Sequence, residues 1–222
     1  MKTQNKIFST MYIPFQKEYL QELLVIFKRT ATTEKQNEFL EIWSSYIASM
    51  KKELRLISQT SQPESFSTPL ILNRSQVFLT FNADRVNRYI ATNRIKTLNL
   101  NSEDLSDKVD ISNEYKPLDV YKKENPVIIY FPTHPDKEYL CIDGNHRVHN
   151  HRHEGVNFKY TFISPDEMKP EFFHDLYSFI AYEIIALYSI MTNSNQEEQR
   201  ILDESIKIID TLKNDYPQIH YD

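Results

Sequence analysis

Five consecutive residues, Asp143-Gly144-Asn145-His146-Arg147, place a carboxylate, an imidazole and a guanidinium beside a glycine. The neighbouring residues predict that this segment, the 143–147 box, joins the end of a strand to the start of a helix. At such a junction the backbone N–H groups and the helix dipole favour a bound anion. Arg147 has the planar geometry that suits phosphate, and His146 can donate a hydrogen bond or transfer a proton. The box predicts a phosphate site; the alternative is a plain turn whose side chains bind nearby carbonyls.

Glycine is scarce in this chain, which has 222 residues and only two glycines, Gly144 and Gly155. This scarcity excludes P-loop and dinucleotide-binding folds, because these need several glycines in one short stretch. Both glycines are therefore expected where the backbone requires them. Gly144 opens the turn, and Gly155 is predicted to end a helix over residues 145–154 as its C-terminal cap.

The elements that must position the box are short and regular. Residues 126–131 form an apolar, β-prone run, and residues 132–136 have the composition of a turn. Residues 138–142 predict a second strand, and residues 157–163 alternate as a third. With the helix over 145–154, the predicted unit is β-turn-β-α-β.

The segments NPVIIYF, EYLCIDGNHR, VHNHRHEG and VNFKYTFIS follow one another in this unit. In their order and spacing they resemble the core of the ParB/sulfiredoxin-like superfamily, over about residues 115–168. The superfamily includes CTP-dependent partition proteins, sulfiredoxins, small-molecule kinases and proposed nucleases. The resemblance implies that the box holds nucleotide phosphates through Gly144, Asn145, His146 and Arg147, with Asp143 beside them.

The chain departs from two branches of the superfamily. Asn145 stands where sulfiredoxins have a nucleophilic cysteine, which argues against their reduction chemistry. His146 and Tyr130 stand where partition proteins have arginines, and no helix-turn-helix segment is apparent, which argues against partition. The leading hypothesis is a nucleotide- or phosphate-ligand-binding protein that takes a nucleoside triphosphate with Mg²⁺. Hydrolysis or phosphoryl transfer would use His146 for proton transfer and Asp143 toward the metal.

Two other functions stay open from the sequence. His146, His149 and His153 fall on one helix face and are candidate metal ligands of a nuclease; the alternative is a solvated helix whose histidines bind no metal. The third hypothesis is a non-catalytic interaction or inhibitor protein, because helical additions make up more than half of the chain. It would gain support if Arg147 were paired internally.

The remaining chain predicts helices and connections around this core. Apolar stripes at helical spacing predict an N-terminal helical hairpin, with its second helix running from the Thr32–Glu34 start signal to about Leu54, and two C-terminal helices. Residues 58–69 predict a linker, 97–116 an irregular segment, and 77–81 a strand before a helix that ends near Arg94. That helix carries a basic strip, a candidate second phosphate contact if it lies over the box: Arg85, Arg88, Arg94 and Lys96.

These predictions combine into an α+β fold with a small mixed-sheet core. Residues 1–62 are predicted to form the helical hairpin, 70–168 the core, and 169–222 a helical extension packed on the core. Glu183 lies inside an apolar helix and is a candidate catalytic acid, or a buried residue with a polar partner.

Composition limits the classes of partner that we expect for this chain. A net charge of −5 argues against non-specific nucleic-acid binding, and the single cysteine, Cys141, excludes disulfides and CxxC motifs. The chain shows no signal peptide or spanning segment. We therefore expect a cytoplasmic protein without a membrane partner, which binds a nucleotide or another phosphorylated small molecule. The helical additions could also bind a protein partner.

Overall fold

A computed structural model of the chain describes residues 17–50, 65–72, 75–93, 95, 97–100, 109–110, 125–134, 137–154, 158–194 and 196–217. The α-helices of these residues are α1 (Lys17–Lys28), α2 (Glu34–Ser49), α3 (Ala83–Asn93), α4 (Asn145–Glu154), α5 (Leu176–Asn193) and α6 (Glu198–Asp215). The strands are β1 (Ser65–Leu72), β2 (Ser75–Asn82), β3 (Thr97–Leu100), β4 (Val109–Asp110), β5 (Val127–His134), β6 (Lys137–Asp143) and β7 (Phe158–Ile163). Two 3₁₀ turns, Pro165–Glu167 and Pro170–Phe172, precede α5.

The larger sheet is mixed and has the strand order β3-β7-β5-β6-β4. Its central strand β5 pairs antiparallel with β6 and parallel with β7. Strand β3 pairs antiparallel with β7, and β4 pairs parallel with β6. Strands β1 and β2 form a separate antiparallel sheet. The predicted α+β class and the order β5-β6-α4-β7 are confirmed, while the ParB/sulfiredoxin-like identity of this unit stays a prediction.

The two faces of the larger sheet are buried by different elements. Val127, Ile129 and Phe131 of β5 alternate toward the main core, which also contains the apolar residues of α5. Ile128 lies on the opposite face, in a smaller cluster with Val148 of α4. This period of two is expected for a strand covered on both sides, and it fixes α4 against the face opposite α5.

Helix α5 is buried along most of its length. Tyr182 of this helix stacks on Phe131 of β5 at 5.8 Å between ring centroids, and its hydroxyl donates to the Tyr130 carbonyl at 3.1 Å. Farther along, Tyr188 stacks on Phe27 of α1 at 4.4 Å. A helix that is apolar all round is stable only when neighbours cover every side, so the sheet and the helical hairpin enclose α5 between them.

The N-termini of α2 and α6 are joined by a short chain of hydrogen bonds. The Thr33 hydroxyl caps α2 by accepting from the Gln36 N–H at 3.1 Å, and it donates to the buried Glu198 carboxylate at 2.7 Å. Below this contact the Trp43 indole donates to the Ser205 hydroxyl at 3.2 Å. These contacts hold α2 and α6 side by side and parallel. The Glu198 carboxylate lies near the N-termini of both helices, where the helix dipoles favour a negative charge.

Three predictions about local structure are wrong. Helix α2 ends at Ser49 rather than near Leu54, because Met50 is extended and the Lys17 ammonium binds the last carbonyls of the helix. The end of the predicted linker is part of β1, where Pro69 pairs with Phe78; this outer strand tolerates a residue without an N–H. The predicted irregular segment contains β3 and β4, which pair with β7 and β6.

Some predictions concern residues that the structure does not describe. These residues are 1–16, 51–64, 101–108, 111–124 and Gly155, which was predicted to cap the helix over 145–154. Of the basic strip, Arg94 and Lys96 also lie outside the described residues.

Replacement of Thr33 by alanine tests the link between α2 and α6. The Thr33→Ala variant loses the cap and removes the hydroxyl donor of the buried Glu198 carboxylate. We expect it to lower the free energy of unfolding by about 2 kcal/mol, measured by urea denaturation. Thr211→Ala is the control, because this exposed hydroxyl bonds only within α6 among the described contacts; its effect should stay within about 0.5 kcal/mol. Equal losses in the two variants would contradict the proposed link.

Candidate functional site

The 143–147 box forms the predicted junction between a strand and a helix. Asp143 ends β6, and Gly144 adopts a φ of +87°, a conformation that favours glycine. The Gly144 carbonyl accepts the first helical hydrogen bond, from the Val148 N–H at 3.0 Å, and α4 starts at Asn145. A glycine in this position has no side-chain oxygen to cap the helix.

The Arg147 guanidinium fills the space beside Gly144. A Cβ atom at Gly144 would lie 2.8 Å from Nη2 and 2.9 Å from Nε of Arg147, and 2.9 Å from the Cα of Pro126. All three distances are shorter than real Cβ contacts. The sequence predicted that Gly144 allows a ligand to approach closely, and the structure places the arginine of the same box in that space.

Arg147 is paired within the box. Its Nη2 lies 3.3 Å from Oδ2 of Asp143, and Arg147 is only 7% exposed. The same Asp143 oxygen accepts a hydrogen bond from the Asn87 side-chain amide of α3 at 2.9 Å. The carboxylate is thus held from two sides, and the guanidinium has a counter-ion without any ligand.

Helix α3 therefore reaches the box through Asn87, and the described contacts of Arg85 and Arg88, from the predicted basic strip, do not include the box. The Arg85 guanidinium is 3.5 Å from the Glu171 carbonyl, and Arg88 is exposed. Sequence reasoning missed Asn87 because its partner is 56 residues away. An asparagine between Val86 and Arg88 gives no local signal of such a contact.

The residues of the box differ in their exposure. Asp143, Gly144, Asn145 and His146 are half-buried, so a ligand could reach the first turn of α4 from solvent. Cys141 is buried on β6, and its thiol donates to the Asp143 carbonyl at 3.1 Å. The box therefore combines a half-buried imidazole and a half-buried amide with an arginine–carboxylate pair.

The candidate metal ligands lie on α4. His146 and His149 are half-buried, and His153 is on the last turn of the helix, where the structure describes its backbone. Among the described residues no three histidine, cysteine or carboxylate side chains are grouped closely enough to hold a metal.

Glu183 lies on α5 and faces the main core. It is 2% exposed, and its pKa is raised well above the usual 4.5, mainly by burial and further by the carboxylates of Glu204 and Asp166. Burial of this kind favours the protonated form of the side chain. Neither of the two carboxylates belongs to the 143–147 box.

Comparisons with known proteins found no match. No protein-family model matches the chain, and neither a curated protein nor a solved structure does. None of the described helices is long and apolar enough to cross a membrane.

Substitution of Gly144 tests the geometry of the turn. Gly144→Ala should lower the free energy of unfolding by about 2 kcal/mol or more, because alanine disfavours a positive φ and its Cβ meets the Pro126 backbone. Gly144→Asn is the matched control. Asparagine tolerates a positive φ but keeps the Cβ, so we expect an intermediate loss in urea denaturation. A neutral Gly144→Ala variant would contradict the described turn.

The Glu183→Gln variant tests the buried acid. Because the folded state raises the pKa of Glu183, the contribution of this residue to stability is greatest below about pH 4.5 and is lost as the pH rises toward the raised value. The glutamine variant lacks this loss, so its unfolding free energy relative to the parent should increase between about pH 4.5 and pH 8.

Asp175, another buried acid of raised pKa, is present in both proteins, so its contribution cancels in the difference. A difference between parent and Glu183→Gln that does not change with pH would contradict the assignment.

Proposed function

We propose that the protein binds a phosphate-bearing ligand at the turn between β6 and α4. The observation that carries this proposal is the position of the Arg147 guanidinium, held against a glycine of positive φ at the first turn of a helix. A guanidinium and a helix N-terminus at one point both favour phosphate oxygens. Asn145 and His146, both half-buried in the same turn, would supply further donors.

The internal counter-ion narrows the class of ligand. A bare phosphate that approached Arg147 would meet the Asp143 carboxylate at the same place, and the two anions would repel each other. A nucleoside triphosphate with Mg²⁺ carries both charges, so Asp143 can face the cation while Arg147 faces phosphate. Mg²⁺ is usually held by one or two carboxylates together with substrate phosphates, and Asp143 fits the first part of that set.

The same residues would support chemistry on the bound ligand. Bound Mg²⁺ would neutralise charge on a phosphoryl group during hydrolysis or transfer. His146 is the residue that could move a proton, and Asn87 would hold Asp143 in place. Binding and turnover are separate properties, so they require separate measurements.

A non-catalytic interaction protein is the second candidate function. It is supported by the pairing of Arg147 with Asp143, which leaves the box satisfied without a ligand. In this case the box would stabilise the fold, and the helices outside the larger sheet would bind the partner.

Calorimetric titration of the full chain with ATP, CTP and inorganic triphosphate, with and without Mg²⁺, tests the first candidate. We expect the parent to bind a Mg²⁺–nucleotide complex. Arg147→Lys, which loses the planar fork, should weaken binding about tenfold or more. Asp143→Asn removes the internal counter-ion and should allow triphosphate to bind without Mg²⁺.

Arg200→Ala is the control, because Arg200 is an exposed arginine on α6 that pairs with Glu197. It should leave the affinity unchanged, and thermal unfolding should show that each variant is folded. Absence of nucleotide binding by the parent, or an equal loss in Arg200→Ala and Arg147→Lys, would overturn the proposal.

A further inference from the structure

A groove of 480 Å³ lies between α2 and α6. Residues of α2 that line it recur at helical spacing from Glu38 to Ser49, and those of α6 run from Ile206 to Lys213. At 1.5 Å per residue, the α2 side is about 16 Å long, or three helical turns. The hydrogen bond between Trp43 and Ser205 holds the two helices together beneath the groove.

The floor of the groove is apolar. It is formed by Ile42, Tyr46, Ile206 and Ile209. Ile206 is 46% exposed, while Ile209 beside it is buried. A single exposed apolar side chain is ordinary on a protein surface, but this one lies in a concave, largely apolar setting where a partner could cover it.

The rim of the groove is acidic. Glu38 and Glu41 of α2 and Asp210 of α6 line it, with Lys213 as the cation of the set. Within the residues that the structure describes, none of the three carboxylates forms an ion pair. Their net charge repels nucleic-acid phosphate and anionic lipid, and it attracts cations over the distance set by salt screening.

We propose that this groove binds an amphipathic helix of a partner protein, with an apolar stripe flanked by lysine or arginine. A third helix fits between two parallel ones by the same side-chain packing that joins the pair, and its apolar anchors would recur at i, i+3, i+4 and i+7. Ile206 is the central contact, and the three carboxylates select the basic flanks. The surface belongs to the second candidate function and shares no residue with the 143–147 box.

Two synthetic helical peptides test the inference. Both carry the same leucine stripe over about three turns; one has lysine flanks and the other glutamate flanks. Fluorescence polarisation with the full chain should show binding of the lysine peptide that weakens with salt, and no binding of the glutamate peptide. Ile206→Asp should weaken the lysine peptide at least about tenfold. The Glu38→Lys/Glu41→Lys double variant should bind the glutamate peptide instead.

Matched controls exist on the same chain. Val25 of α1 is 51% exposed and lies outside the groove, so Val25→Asp should leave binding unchanged. Asp203→Lys is the charge control, on α6 but outside the lining. The inference is overturned if neither peptide binds, if both bind equally, or if Val25→Asp acts like Ile206→Asp.

A second copy of the chain is the competing occupant. Sedimentation of the parent alone distinguishes it, because a dimer that Ile206→Asp dissociates would overturn the assignment of a basic partner helix. Nucleotide titration of Ile206→Asp separates this proposal from the one for the box. We expect nucleotide binding to be unchanged in that variant, so each proposal can fail alone.

Discussion

The burial of α5 is the constraint on which most of the fold depends. Both ends of this helix carry apolar side chains on most faces, so each face needs a different neighbour. Tyr182 packs on β5 and on Phe81 of β2, while Tyr188 packs on α1 and on Phe39 of α2. The sheet, the β1–β2 pair and the helical hairpin therefore meet because they share one buried partner. These elements share the main core, and a smaller apolar cluster lies on the opposite face of the larger sheet.

This constraint extends to the 143–147 box through β5. The strand is fixed on one face by the stacking of Phe131 on α5, and Pro126 directly precedes it. Pro126 in turn lies against Gly144, where no Cβ could fit. The position of the turn is thus linked to packing in the core, because the Gly144 backbone lies against Pro126. Packing of this kind suits a site that must hold a charged group in one geometry.

Local pattern was sufficient to predict most of the elements but not their partners. Helical spacing predicted the terminal helices, apolar and β-prone runs predicted β2, β5, β6 and β7, and the scarcity of glycine identified Gly144 as a required turn residue. The pairing of β1 was missed because Pro69 resembles a breaker, and β3 because its partner β7 lies some sixty residues away. Asn87 was missed for the same reason of distance. The Arg147 side chain lies against Gly144 of the same turn. The sequence could not predict this contact, because the space beside Gly144 exists only in the folded chain.

The two candidate surfaces differ in the binding free energy that a ligand can gain from them. At the box, the Arg147 charge is already met by Asp143, so a phosphate ligand gains only the difference between two ionic partners. Replacing Asp143 by phosphate as the partner of Arg147 would favour a ligand that also carries a cation for Asp143. The same replacement would lower the affinity for the ligand. At the groove, the carboxylates and Ile206 are exposed, so a partner of the proposed kind would gain free energy by burying Ile206, and its basic flanks would speed association. Under the proposed function, the internal pairing of Arg147 would make the turn selective for ligands that carry both charges, whereas a helix bound at the groove would add contacts without breaking an existing ion pair.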